Sequence, residues 1–245
     1  RSTTFFEASP GTSGWERTRR IGVNTELGLD HLMASIAVPY VFPPTLVGDE
    51  FFGDGAMRQA TPLSPAVHLG ADRILVIGIR DETGGKEPAS RHAPPSFAQI
   101  AGYMLDTLFM DGLYSDLERI TRINDMLDAF PGESVRVGDA EMRPIDTMLI
   151  VPSKDLRMIA EKHRAELPLA IRALLRGVGG RSPGENKLLS FLLFEQAYTR
   201  ELIKLGYEDA MNVEEELRKF VSGEPVPRLF APAWIKRDLS GFNSD

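Results

Sequence analysis

The sequence contains no cysteine, which excludes disulfides, thiolate metal sites and cysteine nucleophiles; a reducing compartment fits but is not required. It has no run near the ~18 apolar residues of a membrane-spanning helix: the longest, Ile74–Ile79 and Met148–Val151, are strand-sized. Its four histidines, His31, His68, His92 and His163, never fall at ligand spacing such as H-E-x-x-H. Solvated or capping roles are expected for them, and neither a metal nor a cofactor. Asp49 and Glu50 read as a solvated hairpin tip rather than as ligands. The net charge of −7 argues against nucleic-acid partners, because phosphate contacts need clustered Lys and Arg. There is no internal repeat, no low-complexity block and no signal-peptide pattern. A cytoplasmic or peripheral membrane location is expected. Arg1 leads directly into what reads as a strand already in progress, so the chain is expected to be a piece of a longer polypeptide.

What is present is the balance of a folded domain: 42% hydrophobic and 26% charged residues over 245 positions, enough for one large domain or two smaller ones. The first third reads as α/β. Thr3–Ala8 is rich in strand formers. Leu27–Ala37 carries Leu29, Leu32, Met33 and Ile36 at helical spacing and stops before Pro39. Thr45–Val47 and Glu50–Phe52 form a hairpin around Gly48-Asp49, and Pro65–Leu69 is a short helix. Arg73–Ile79 is an unbroken apolar strand, expected to be central and buried on both faces. Residues 81–96 read as a loop or linker. Residues 97–245 read as mostly helical, with helices over Phe97–Asp111 and Leu113–Phe130, an added strand at 145–152, and further helices near Leu156–Glu166, Pro168–Arg176, Lys187–Leu205 and Val213–Ser222. The proline-rich tail from Gly223 reads as an extended strap. The basic run Trp15–Arg20 could face anionic lipid, but a solvated loop paired with acids is the better reading. The apolar stretch Leu188–Phe194 reads as a buried core helix rather than an interfacial one.

The residue that invites a chemical reading is Asp54, in Phe52-Gly53-Asp54-Gly55-Ala56. On the dipeptide alone Asp-Gly is a turn signal. Its surroundings add more. Upstream stands Ala34-Ser35-Ile36-Ala37-Val38-Pro39-Tyr40-Val41-Phe42-Pro43-Pro44. Downstream stand a short helix and Leu69-Gly70-Ala71-Asp72, followed by the strand at Arg73.

These spaced elements, in this order, resemble the patatin-like phospholipases. In that family a segment of the form A-S-x-A-x-P-x-x-F-P-P leads into a hairpin bearing D-G-[AG], then a short helix and an L-G-A-x-x-[IV] strand. Here the matching positions are Ala34, Ser35, Ala37, Pro39, Phe42, Pro43 and Pro44, then Asp54-Gly55-Ala56. Ser2–Glu7, Met104–Phe109 and Leu189–Phe194 extend the likeness to bacterial members over most of the chain. The resemblance implies a particular architecture. Residues 1–80 would be the C-terminal part of a three-layer α/β/α catalytic domain, and the mostly helical extension would follow the linker. It also implies a lipid acyl hydrolase with a Ser–Asp dyad, Asp54 serving as base without an intervening histidine, and Gly53, Gly55 and Ala56 shaping its approach. Ser35, Pro39, Pro43 and Pro44 are assigned to scaffolding. A carboxylate suits the task when partial burial raises its pKa. The implied partner is a lipid acyl ester, with peripheral contact to a membrane.

The family nucleophile lies in a G-x-S-x-G elbow upstream of this aspartate, and none precedes Asp54 here. The serine and the rest of the catalytic domain are therefore expected upstream of Arg1, with this chain inactive alone. The one literal match, Gly180-Arg181-Ser182-Pro183-Gly184, reads as a decoy. An elbow follows a strand, whereas this follows a helix stop, and Pro183 lacks the N–H that helps form an oxyanion hole. Two other readings stay open: a non-catalytic regulatory or partner-docking fragment, and a binding domain in which Asp54 is only a turn.

Overall fold

The computed structural model describes residues 1–18, 20–39, 42–58, 61–78, 97–130, 135–137, 140–169, 171–173 and 189–234. The linker expected at 81–96 and Ser182 lie outside them, as do Pro183 and His92. The chain forms two units, Arg1–Ala71 with Asp111–Asp116, and Asp72–Met110 with Leu117–Asp245. Both are mixed α/β, and their described strands form separate sheets of two or three.

In the first unit, β1 (Ser2–Phe6), β2 (Trp15–Arg17) and β3 (Arg20–Asn24) form a sheet of order β1-β3-β2. β1 runs parallel to β3, and β2 antiparallel to it. The basic run expected as a loop is thus largely strand. Charge hid it, but Trp15 supplies the apolar anchor. Its indole stacks on Phe6, centroids 5.3 Å apart and planes 18° from parallel, and it pairs across the ladder with Gly22. A Cβ on Gly22 would come 2.1 Å from an indole carbon, so the missing side chain is the seat for the ring. Gly22→Ala is expected to displace Trp15 and to cost about 1–3 kcal/mol. A lowered urea midpoint would report it, and an unchanged midpoint would show that the indole has room to move.

Helix α1 (Leu29–Ser35) falls within the expected span, but its packed side does not follow the expected stripe. Ala34 and Ala37 are buried, while Leu29, 71% exposed, faces outward with Leu32, Met33 and Ile36. Periodicity identifies a helix, but small alanines on its other side let the backbone approach the neighbouring strand at Thr45–Val47 more closely than leucines would. The hairpin of β4 (Thr45–Val47) and β5 (Glu50–Phe52) turns at Gly48, whose φ of 60° is a left-handed conformation that glycine adopts without strain. Helix α2 (Ser64–His68) follows. The buried Asp116 accepts a hydrogen bond from the Leu63 amide at 3.1 Å.

In the second unit, β6 (Arg73–Ile77) is an edge strand among the described residues. Ile74 and Val76 are buried, but Leu75 and Ile77 are exposed. The expected central position belongs to β9 (Asp146–Ile150), which lies between β6 and β10 (Leu229–Phe230) in an all-parallel sheet and buries Thr147, Met148 and Leu149. An apolar run fits either position; the pairing partners decide. Helix α3 (Phe97–Ala129) joins the two helical stretches expected at 97–111 and 113–130, with Gly112 inside it at a cost of only ~1 kcal/mol. A small hairpin, β7 (Arg136–Val137) with β8 (Ala140–Glu141), follows.

Helices α4 (Leu156–Lys162), α5 (Gln196–Met211) and α6 (Glu214–Ser222) complete this unit. A core of Ile159, Ala160, Leu167, Leu189, Leu193 and Leu205 lies around α4 and α5. From the apolar stretch it takes Leu189 and Leu193, with Leu192 packed against it, while Phe194 is exposed and Leu188 lies outside the described residues. Helix α6 stops at Gly223 in the left-handed region, φ 80°. Arg73 of β6 completes that stop, donating to the carbonyls of Phe220 at 2.8 Å, Gly223 at 3.1 Å and Glu224 at 2.7 Å. A guanidinium suits this position, because the carbonyl end of a helix carries partial negative charge.

Candidate active site

Asp54 does not sit in a hairpin turn. It follows β5 and caps a 3₁₀ turn, Gly55–Met57, with Oδ1 accepting a hydrogen bond from the Ala56 amide at 2.8 Å. This is the local role that Asp favours, since its short side chain reaches the amide two residues on. Two contacts position it. Phe52 meets Phe5 of β1 edge-on at 5.2 Å, which docks the hairpin on the sheet. The Asp54 amide donates to the carbonyl of Ala37 at 2.9 Å. Ala37 is buried and closes the A-S-x-A part of the upstream motif. Two sequence elements 17 residues apart thus meet at the aspartate backbone.

The Asp54 carboxyl is half-buried. Burial pushes its pKa above the ordinary 3.8, and the hydrogen bond from Ala56 offsets part of that rise. Among the described residues Oδ2 has no hydrogen-bond partner, and no hydroxyl is bonded to either oxygen. The arrangement can therefore hold a carboxylate in place by one oxygen and leave the other to exchange a proton.

The neighbours divide in their roles. Gly53 lies close to the Ala37 carbonyl, where an added Cβ would come within 3.4 Å, an ordinary contact. Gly55 has open space, and neither glycine adopts positive φ. Within these residues, then, the backbone could accept alanine at both positions. Ala56 contributes its amide. Ser35 ends α1, its hydroxyl donating to the Leu32 carbonyl at 3.1 Å, in keeping with scaffolding.

Of the described histidines, His31 takes a capping role of the kind expected, and His68 and His163 are more engaged than that. His31 Nδ1 accepts from the Gly28 amide at 3.0 Å and caps α1, with its ring against Phe5. His68 meets Trp15 edge-on at 5.1 Å and lies 3.3 Å from an Arg17 nitrogen. His163, expected on a solvated helix face, is held between two carboxylates. Sequence spacing could suggest only one of them, Glu166 three residues on. Among the described residues no group of three His, Asp or Glu could hold a metal ion, and no helix is long and apolar enough to cross a membrane.

Compared with known proteins, the chain matches no family model, no curated protein and no solved structure.

Proposed function

We propose that Asp54 is the general base of a serine–aspartate dyad in a patatin-like lipid acyl hydrolase, in the closing part of a three-layer α/β/α domain, with the serine supplied from upstream of Arg1. The observation that carries this reading is the hydrogen bond from the Asp54 amide to the Ala37 carbonyl. It joins the two spaced elements of the resemblance at the residue assigned the chemistry. The raised pKa of the half-buried carboxyl supports the same role, since a base is most effective when its pKa approaches the working pH.

In this mechanism Asp54 takes the serine proton as the serine oxygen attacks the acyl carbonyl. The tetrahedral intermediate expels the alcohol, which leaves with that proton. Asp54 then takes a proton from water as water attacks the acyl-enzyme, and the fatty acid departs as the serine is reprotonated. No cofactor is needed. The substrate is an acyl ester of a lipid, reached by peripheral contact with a membrane.

A second reading, a non-catalytic fragment that docks with a partner, is favoured by the outward apolar side of α1 and the exposed Leu75 and Ile77 of β6. Large exposed apolar patches mark interaction surfaces. Both readings are tested on the longest encoded polypeptide that contains this chain, beside the 245-residue chain alone. Fluorophosphonate labelling and acyl-ester hydrolysis are expected in the longer protein and in neither assay for the shorter one. Absence of a labelled serine in the longer protein would leave the docking fragment as the better reading.

A further inference from the structure

His163 closes helix α4 and leads into a 3₁₀ turn, Arg164–Glu166. Its Nδ1 lies 2.7 Å from Glu166 Oε1, and its Nε2 lies 2.6 Å from Glu201 Oε2 on α5. An ionised carboxylate only accepts hydrogen bonds, and a neutral imidazole has a single N–H. Both contacts are satisfied together only by the imidazolium. With one proton removed, a ring lone pair points at a carboxylate oxygen less than 3 Å away.

We propose that His163 is a protonation-dependent clasp that fastens α4 to α5, closed when both ring nitrogens carry a proton and opened as alkali removes one. The groups facing it balance in the closed state. Glu166 and Glu201 bring two negative charges. Lys162, whose Nζ lies 3.3 Å from the other oxygen of Glu201, and the imidazolium bring two positive ones. Deprotonation leaves the cluster with one uncompensated negative charge. Arg164 is engaged by Glu161 at 3.3 Å. Tyr198 of α5 meets the imidazole edge at 6.0 Å. Burial pushes its phenol up to about 12, so it stays neutral throughout. The clasp lies over a packed core, because Tyr198 belongs to the cluster that includes Ile159, Leu167 and Leu205.

The electrostatics agree with the geometry. The hydrogen bond to Glu166, and then that to Glu201, raise the His163 pKa above the ordinary 6.5, and the hydrogen bond from His163 lowers the Glu201 pKa below the ordinary 4.5. A raised folded-state value stabilises fully below the unfolded value and is lost as pH rises through the folded one; a lowered carboxylate value is lost as pH falls through it. The clasp is therefore complete between the two ordinary values of 4.5 and 6.5. It persists into the range above 6.5 and fails as pH climbs through the raised imidazole value.

The test is nitrogen-detected NMR of the histidine rings in the whole 245-residue chain, with His163 assigned from its loss in His163→Gln, or from its displacement in Glu201→Gln should the first variant not fold. At neutral pH both His163 nitrogens are expected to be protonated, and the ring to titrate at higher pH than in the urea-unfolded chain. The thermal midpoint of the wild type is expected to fall by a few degrees as pH rises from 6.5 through the raised imidazole value, with a flatter profile in Glu201→Gln. A neutral tautomer at pH 7, or a midpoint at or below that of the unfolded chain, would overturn the proposal. So would identical pH profiles of wild type and Glu201→Gln.

Discussion

Asp54→Asn is expected to lower acyl-ester hydrolysis by on the order of 10³–10⁴-fold in the polypeptide that carries the nucleophile, with little change in stability. The amide keeps the size of the side chain and an oxygen to accept from Ala56, so the cap of the 3₁₀ turn survives. What it loses is the capacity to take a proton, without which a serine hydroxyl is a weak nucleophile. Asp54→Ala is expected to lose activity equally, and also about 0.5–2 kcal/mol of stability with its cap. Comparing the two separates chemistry from folding. The loss should fall on kcat and kcat/KM alike, and fluorophosphonate labelling should slow in parallel. The acid limb of the kcat/KM profile should lie above the ordinary carboxylate value of 3.8, because burial raises the Asp54 pKa and only the ionised form is a base. Activity then disappears as pH falls through that limb. Hydrolysis undiminished in Asp54→Asn would sink the assignment and leave Asp54 a cap.

The largest effect on stability is expected at Asn124. Its side chain, buried in the last third of α3, donates through Nδ2 to the Ile145 carbonyl at 2.9 Å and accepts through Oδ1 from the Ile145 amide at 2.9 Å. This two-bond fork satisfies both backbone groups of the residue that leads into β9. Asn124→Ala removes both partners at once. Each buried polar group left unmade costs ~1–3 kcal/mol, so a total near ~3 kcal/mol is expected, a fall of roughly 6–12 °C in the unfolding midpoint at this chain length. Asn124→Asp is a sharper probe. It keeps the acceptor for the Ile145 amide but turns a second carboxylate oxygen toward the Ile145 carbonyl, and it should be at least as destabilising. A loss below about 1 kcal/mol in Asn124→Ala would mean that water replaces the fork.

Asn124 is instructive about what a sequence discloses. Asparagine is a poor helix former, and its presence inside a helical pattern is the one hint that its side chain has other work. Nothing in the spacing names Ile145, which lies 21 residues on across a hairpin. The β4–β5 hairpin, α6 with its glycine stop, and β9 were legible because their signals are local: a turn glycine, a left-handed cap, a short apolar run. The placement of β6 was not, since Ile74–Ile77 would read the same at the centre of a sheet as at its edge. β2 and β3 were hidden because their stability rests on Trp15 against Phe6 and Gly22, a contact between strands rather than a pattern within one.

The sequence by itself determined the absence of thiol chemistry, the α/β class, and the glycine-flanked aspartate with its spaced surroundings. All of these depend on residue identity and on short distances along the chain. Only the tertiary structure decided that Asp54 is half-buried and tied to Ala37, and that His163 lies between Glu166 and Glu201. The reason is that burial and Coulomb interaction depend on distance through space. Glu201 stands 38 residues from His163 in sequence and 2.6 Å from its ring, a proximity set by the packing of α4 on α5.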